Sequence, residues 1–368
     1  MTRAELTGTV DAGPAPSHPP LPRALRIGPV VSMVFRPRPV AVSGVLACAT
    51  FVVVCLSIRL GDLPISLPDV VRAMFGSGDS VTVYIVHDLR MPRALVGVIV
   101  GAALGMSGAI VQSIARNPLA SPDILGITGG AGVAAVFLVT SGTSVARSLD
   151  AGVGIPAASL IGGLATGMVV YLLAFRGGVD GMRLILIGVA ITSLTTALTT
   201  WMIVRAQLTD AARAQTWLVG SLDARTWSQV GSSATVAAVA ALLALGSAFA
   251  LRAIALGDDV ARGLGVRLTL TRGLLLLAAV LLAGVGVSAA GPIAFVAFVS
   301  PQVAMRLTGL PTPPLIPAAL TGALLLTGAD LVSRLLPTPL PVGIVTAAVG
   351  GPFLVYLLVR ANLKVSKR

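Results

Sequence analysis

The side chains in this sequence that could do chemistry are few, and most are arginines and aspartates at short, regular spacings. "RMPR" sets Arg90 and Arg93 three apart, "ADLVSR" sets Asp330 four residues before Arg334, and "GDDVARG" sets Asp258 and Asp259 beside Arg262. The four-residue spacing of Asp330 and Arg334 suits an ion pair on one helix face. Catalysis would need more. The two histidines, His18 and His87, lie far apart, and the chain has no HExxH zinc motif and no GxSxG nucleophile elbow. It also lacks a GxxxxGK[ST] phosphate loop, so ATP is not used by that route. Cys48 and Cys55 lie in one apolar segment, on one helix face and beyond disulfide reach, and read as small hydrophobes.

The elements that must carry these residues follow from composition. Of 368 residues, 55% are hydrophobic and 11% charged, and the mean hydropathy is +0.95. A soluble chain of this size needs more charge to cover its surface, so this is a polytopic membrane protein. Its 26 Lys and Arg against 14 Asp and Glu give a net charge of +12. In a membrane protein that excess belongs to helix ends and cytoplasmic loops. No basic stretch is interleaved with aromatics, so a nucleic-acid partner is not indicated. Residues 1–40 are rich in Pro and Arg, lack a long apolar run, and read as a flexible cytoplasmic tail in which Arg36 and Arg38 hold the first helix inside.

Spanning helices need about 20 mainly apolar residues. Candidates fall at about 41–60, 94–115, 122–140, 153–175, 183–204, 231–251, 273–290, 314–336 and 342–359. The stretch 291–309 is apolar but short, and as a partly inserted helix it brings the count to ten in an all-α bundle. An even count puts both termini on one side, and "RANLKVSKR" (360–368), with four positive charges and no acid, makes that side cytoplasmic. Residues 61–90 then face outside. The link 251–272 falls inside; it is strongly charged yet keeps the apolar spacing of a helix. Gly, Ala and Ser abound, as in "GAALGMSGA" (101–109), and let helices approach closely. Residues 101–113 resemble 321–333, a likeness that so simple a composition also yields by chance.

"RNPLASPDILGITGG" (116–130) interrupts this pattern. Pro118 and Pro122 remove backbone donors, while Asn117, Ser121 and Asp123 can satisfy the groups set free. Irregular backbone in a bundle is tolerable where protein or a water-filled cavity covers it. A plain tight turn is the alternative. Asp330 is the one plausible intramembrane acid, and with neither proton relay nor ATP site a transporter built this way is driven from outside.

Three blocks resemble the permeases of bacterial ATP-binding cassette importers for iron-siderophore, haem and cobalamin. They are residues 89–136, with R-x-P-R, S-G-x-x-x-Q and R-N-P-L-A-x-P-x-x-L-G; 261–309, with A-x-x-L-G and G-P-I-x-F-V; and 328–358, with A-D-x-x-x-R and L-P-V-G-I-V-T. "WLVGSLDARTW" (217–227) matches the loop before the family's sixth span. The likeness runs from about 41 to 360. It implies a ten-helix permease domain over 41–368, with coupling helices near 252–270 that fit a cleft on a separate dimeric ATPase through Ala255, Leu256, Gly257, Asp258, Asp259, Ala261, Arg262, Leu264 and Gly265. Arg90, Arg93 and Arg334 would receive acidic residues of an extracytoplasmic solute-binding protein; headgroup snorkelling, or an Asp330–Arg334 pair, is the plainer reading. Asn117, Pro118, Leu119, Ala120, Pro122, Gly126, Gly291, Pro292, Pro301 and Gln302 would form broken helices near the translocation path. No cofactor or metal would bind directly, and ATP would be used by the partner. The family's P-H-x-x-R reads Pro301-Gln302 here, with Met305 before Arg306, a form closer to the siderophore branch. That branch commonly pairs two different permease chains, so a heterodimer in the bacterial cytoplasmic membrane is favoured over a homodimer. The remaining expectation from another class is an ion-coupled secondary transporter of small organic solutes that relies on Asp330.

Overall fold

Hydropathy and helix length together pick out seven helices able to cross a membrane among the described residues. The computed structural model describes residues 24–27, 31–34, 37–61, 63, 65–141, 154–174 and 181–365. Most of the expected tail, His18 and the last three residues lie outside that set. Within the tail, β1 (Ala24–Ile27) and β2 (Val31–Val34) pair as an antiparallel hairpin, a short exception to the all-α expectation.

The first long helix, α1 (Pro37–Arg59), begins slightly earlier than hydropathy predicts, because proline is well tolerated in a first helical turn. Arg38 Nε donates to the Leu307 carbonyl at 3.0 Å, tying this start to a distant helix end. After α2 (Leu67–Met74), capped by Ser66, comes α3 (Ser80–Ala115). It starts well before the expected residue 94 and passes through a wide π turn at Tyr84–Arg90. There Met91 N donates to the Val86 carbonyl, and Pro92 follows with no donor of its own. Much of the stretch expected to lie free outside is therefore helical.

The expected span 122–140 is shorter and broken. A single 3-10 turn (Pro122–Leu125) ends on Gly126 in the left-handed region, and α4 (Ile127–Thr140) follows. Then come α5 (Gly154–Ala174), α6 (Gly181–Arg205), α7 (Leu208–Leu218) and α8 (Trp227–Gly246). The amphipathic α7 was not legible as a span, and it occupies part of what the sequence suggests is a loop. The expected 231–251 span breaks at Ser247 into α8 and α9 (Ala248–Leu256). The short α10 (Asp258–Gly263) leads into α11 (Leu268–Ala290), α12 (Val296–Thr308), α13 (Leu315–Leu335) and α14 (Val342–Val365).

Two helices, α3 and α11, run through the middle and are mostly buried, whereas α1, α5, α6 and α8 turn most of their apolar surface outward. The core closes where α3 meets α12 and α13. A Cβ on Gly101 or Gly105 would collide with the backbone of Gly322 and Ala318, and one on Gly108 with Ala297. Backbones this close gain dispersion contacts that larger residues would forbid. The two helices cross antiparallel, so 101–105 lies on 318–322 while Gly97 faces Thr327, and the similar segments 101–113 and 321–333 meet only at one end.

Between α11 and α12 the chain leaves helical geometry, with Gly291 and Phe295 both at positive φ. Ala297 lies against Gly108, about two helical turns inside the end of α3. Irregular backbone at such depth needs protein partners. The loop after α7 supplies them: Ser221 N donates to the Ala290 carbonyl at 2.8 Å, and Leu222 is fully buried against Val96, Val100 and Ile293.

Candidate functional sites at the two ends of the bundle

At one end two of the three expected docking arginines, Arg93 and Arg334, converge on one aspartate. Arg93 and Asp330 face each other because α3 and α13 are packed through glycine lower down. Arg93 Nη2 donates to Asp330 Oδ1 at 2.7 Å and Nε reaches both carboxylate oxygens, a forked geometry that a planar guanidinium favours. Arg334 pairs with the same carboxylate at 3.2 Å from one turn further on, so the plain Asp330–Arg334 pair is formed. Its other donors reach the Ser57 hydroxyl and carbonyl of α1 at 2.6 and 3.1 Å. Arg93 also touches Asp223 of the 219–226 loop. Arg90 is different: its guanidinium is buried and donates to the carbonyls of Ile58, Arg59 and Leu63, closing the end of α1. Asp330, with a side chain 3% exposed, is the centre of this network.

In the broken strip Asn117 takes up a freed backbone donor, whereas Asp123 pairs with a side-chain hydroxyl. Asn117 Oδ1 accepts from Leu119 N at 2.9 Å, Ala120 N donates to the Asn117 carbonyl at 3.1 Å, and Asp123 accepts from the Thr128 hydroxyl at 2.5 Å. Pro118 and Leu119 are exposed while Ala120 and Pro122 are buried. Gln302, on α12, joins this strip: its Nε2 donates to Gln112 Oε1 at 2.6 Å, and Gln112 Nε2 donates to the Phe298 carbonyl at 3.1 Å. Pro301 leaves the Ala297 carbonyl without its helical donor, and that carbonyl faces Gly108. Gly291 and Pro292 are not part of this group. They pack against Gly220 in the loop after α7. Gln112 ends the S-G-x-x-x-Q motif, and its buried amide partner is visible in three dimensions alone.

At the opposite end, α9 and α10 form a two-helix knuckle around Gly257, and its residues divide sharply. Leu256, Val260 and Leu264, four apart, are exposed at 69%, 48% and 52%, whereas Ala261 is fully buried. Ala255 is half-buried. Asp259 is 97% exposed and pairs with Arg262 at 3.1 Å within the same helix. Asp258 turns the other way, inward, although the sequence grouped it with Asp259 as a partner contact. It accepts from Arg272 Nη2 of α11 at 2.7 Å and from Arg116 Nη2, at the end of α3. Arg116 also donates Nε and Nη2 to the Ile254 carbonyl of α9, at 3.0 and 2.7 Å. Burial pushes the Asp258 carboxyl up, but the hydrogen bonds and charges of Arg116 and Arg272 outweigh it and hold it below the ordinary carboxylate range. Gly265 closes the knuckle at positive φ.

Among the described residues no group of three or more His, Cys, Asp or Glu could hold a metal ion. The chemistry on offer is ion pairing at both ends and an exposed apolar ridge at one. Residues 49–360 match the model of the FecCD transport family. The ferric enterobactin transport system permease protein FepG of Escherichia coli (strain K12) is 37% identical over 328 residues, which cover 87% of this chain and 97% of that one. The achromobactin transport system permease protein CbrC of Dickeya dadantii (strain 3937) is 40% identical over 316 residues, 84% of this chain and 88% of that one. Among solved structures, a metal-chelate type ABC transporter in an inward-facing conformation superposes with a TM-score of 0.76 at 25% identity, covering 87% of this chain and 99% of that one. With the family's match spanning residues 49–360 and the fold shared over 87% of the chain, this protein belongs to the FecCD transport family and is a membrane-spanning permease of an ABC importer.

Proposed function

We propose that this chain carries an iron-siderophore complex across the bacterial cytoplasmic membrane, as one of two homologous permease subunits joined to a dimeric ATPase and served by an extracytoplasmic binding protein. The observation that carries the reading is the knuckle. Leu256, Val260 and Leu264 make an apolar ridge on two short helices at one end of the bundle, flanked by the exposed Asp259–Arg262 pair. Such a ridge needs a partner's cleft to cover it. Cargo follows from the relatives, whose names specify ferric enterobactin and achromobactin. Counting Ile127–Thr140, Val296–Thr308 and Val342–Val365 with the seven long apolar helices as ten crossings puts both termini on one side. The basic 360–368 tail supports that side, with the knuckle, being the cytoplasmic one.

ATP closes the paired ATPases, the knuckle follows, and the bundle opens its path to the other side. The binding protein's acidic residues meet Arg93 and Arg334, which keep side-chain exposures of 19% and 15%. Arg90, engaged with three carbonyls, supports that end from within. A secondary transporter would need Asp330 free to bind and release an ion, and an aspartate held between Arg93 and Arg334 is poorly suited to that.

The test is a gentle-detergent pull-down of the tagged chain from its own membranes, paired with uptake of labelled ferric siderophores. Recovery of an ATPase and a second permease, with uptake that survives a collapsed proton gradient and fails on ATP depletion, is the expected result. Uptake that fails with the proton gradient would overturn the importer reading, and preference for haem or cobalamin would overturn the cargo.

A further inference from the structure

Arg116 stands at a place where arginine is unexpected. It closes α3 at φ 49° and ψ 32°, the left-handed conformation that glycine or asparagine normally takes at a helix end. A side chain with a Cβ is disfavoured there by roughly 1 kcal/mol. The next residues are the Asn117-Pro118 strip, so any shift of Arg116 is a shift of the strip.

Its guanidinium is fixed from the other side. It donates twice to the Ile254 carbonyl, near the C-terminus of α9, and once to Asp258, the first residue of α10. Arg272 holds Asp258 from α11. One side chain therefore grips both helices of the knuckle across the Gly257 joint, while its own backbone begins the broken strip. Gly257 and Gly265, at φ 127° and 78°, flank α10 with open space around them. The strip in turn reaches α12 through Gln302 Nε2 and the Pro118 carbonyl, at 3.5 Å.

We infer that Arg116 is the positioning residue that transmits movement of the α9–α10 knuckle to the 117–125 strip, with Asp258 as its grip and Arg272 as the anchor of that grip. This rests on the importer reading above, in which the knuckle is the part the ATPase moves. A plain helix-end role is the competing account, and it makes the opposite prediction for glycine. Arg116→Gly supplies a better left-handed cap and removes the guanidinium, so it leaves the cap intact and cuts the link.

The experiment uses the assembled complex in proteoliposomes, measuring siderophore uptake and ATP hydrolysis for wild type, Arg116→Gly, Arg116→Lys and Asp258→Asn. We expect Arg116→Gly to assemble normally and to hydrolyse ATP within about twofold of wild type, with Asp258→Asn compared for uptake per ATP alone. Uptake per ATP should drop at least fivefold, the lower end of typical coupling effects. Arg116→Lys should recover part of that loss. Wild-type uptake per ATP in Arg116→Gly, or a parallel fall of uptake and hydrolysis, would overturn the inference and leave the importer reading standing. If no ATPase accompanies the wild-type chain, the importer reading falls and takes this inference with it.

Discussion

The two ends of the bundle are built from the same parts and behave as opposites. At each, one aspartate lies between two arginines drawn from different elements: Asp330 between Arg93 and Arg334, and Asp258 between Arg116 and Arg272. Asp330 sits 3% exposed on a long helix whose backbone is pressed against α3. Asp258 sits 33% exposed on a six-residue helix between two unhindered glycines. The ion-pair chemistry is shared, so the difference lies in what carries it. A pair on close-packed helices fixes their register; a pair on a hinged helix passes its motion on.

The largest effect should come from breaking the buried pair. Asp330→Asn leaves two guanidiniums facing a neutral amide in a site nearly closed to water, and loss of one partner of a buried pair costs about 3 kcal/mol or more. Thermal unfolding in detergent and the yield of folded protein measure this. A loss below about 1 kcal/mol would mean that Asp223 takes over both arginines and that Asp330 is no anchor.

Next is the scaffold behind that anchor. Gly322→Ala sets a methyl group against the backbone of Gly101, and overpacking of this kind costs roughly 2 kcal/mol. The same methyl at Gly263, with nothing within 4 Å, should be tolerated. Equal melting temperatures for the two variants would erase the contrast between a pressed end and an open one.

What the sequence made legible follows the same division. Long, continuously apolar helices match within a residue or two: 153–175 is Gly154–Ala174, and 314–336 is Leu315–Leu335. Hydropathy failed where an element is apolar for another reason or not apolar at all. It merged Pro122–Leu125 with α4, because a left-handed Gly126 costs nothing on a hydropathy scale. It also passed over α7, whose mixed surface resembles a loop. The candidate residues at both ends came from the resemblance to the importer permeases, carried by short motifs in the sequence. Their partners did not, because Arg116 and Asp258 are separated by 142 positions and meet through tertiary packing alone. The two adjacent acids of "GDDVARG" were indistinguishable in sequence, and one turn of a short helix sends them to opposite fates.

A smaller effect is expected from Asp258→Asn, about 1 kcal/mol, since the site is partly open to water. Its pH dependence is the sharper signature. The folded carboxyl titrates below the ordinary value near 3.9, so its contribution is complete above that pH and disappears as pH falls through the lower folded value. Melting temperatures of wild type and Asp258→Asn should differ at pH 5 to 7 and converge as the pH falls below about 4. A gap that stays constant to lower pH would show that the ionised carboxylate is not what stabilises this end.

The smallest effect belongs to the neighbouring residue. Asp259 is 97% exposed, and its 3.1 Å pair with Arg262 spans a single turn of its own helix. Exposed pairs of that kind contribute less than about 0.5 kcal/mol, because water and salt screen them and the side chains lose freedom in meeting. Asp259→Asn should leave the melting temperature of the isolated permease unchanged. Uptake per ATP should also hold, because the carboxylate grips no other element. Any influence should be confined to assembly with the ATPase and should weaken as salt rises. If Asp259→Asn lowers stability as much as Asp258→Asn, the knuckle does not divide into an inward and an outward face. The grip assigned to Asp258 would then belong to the net charge of the segment.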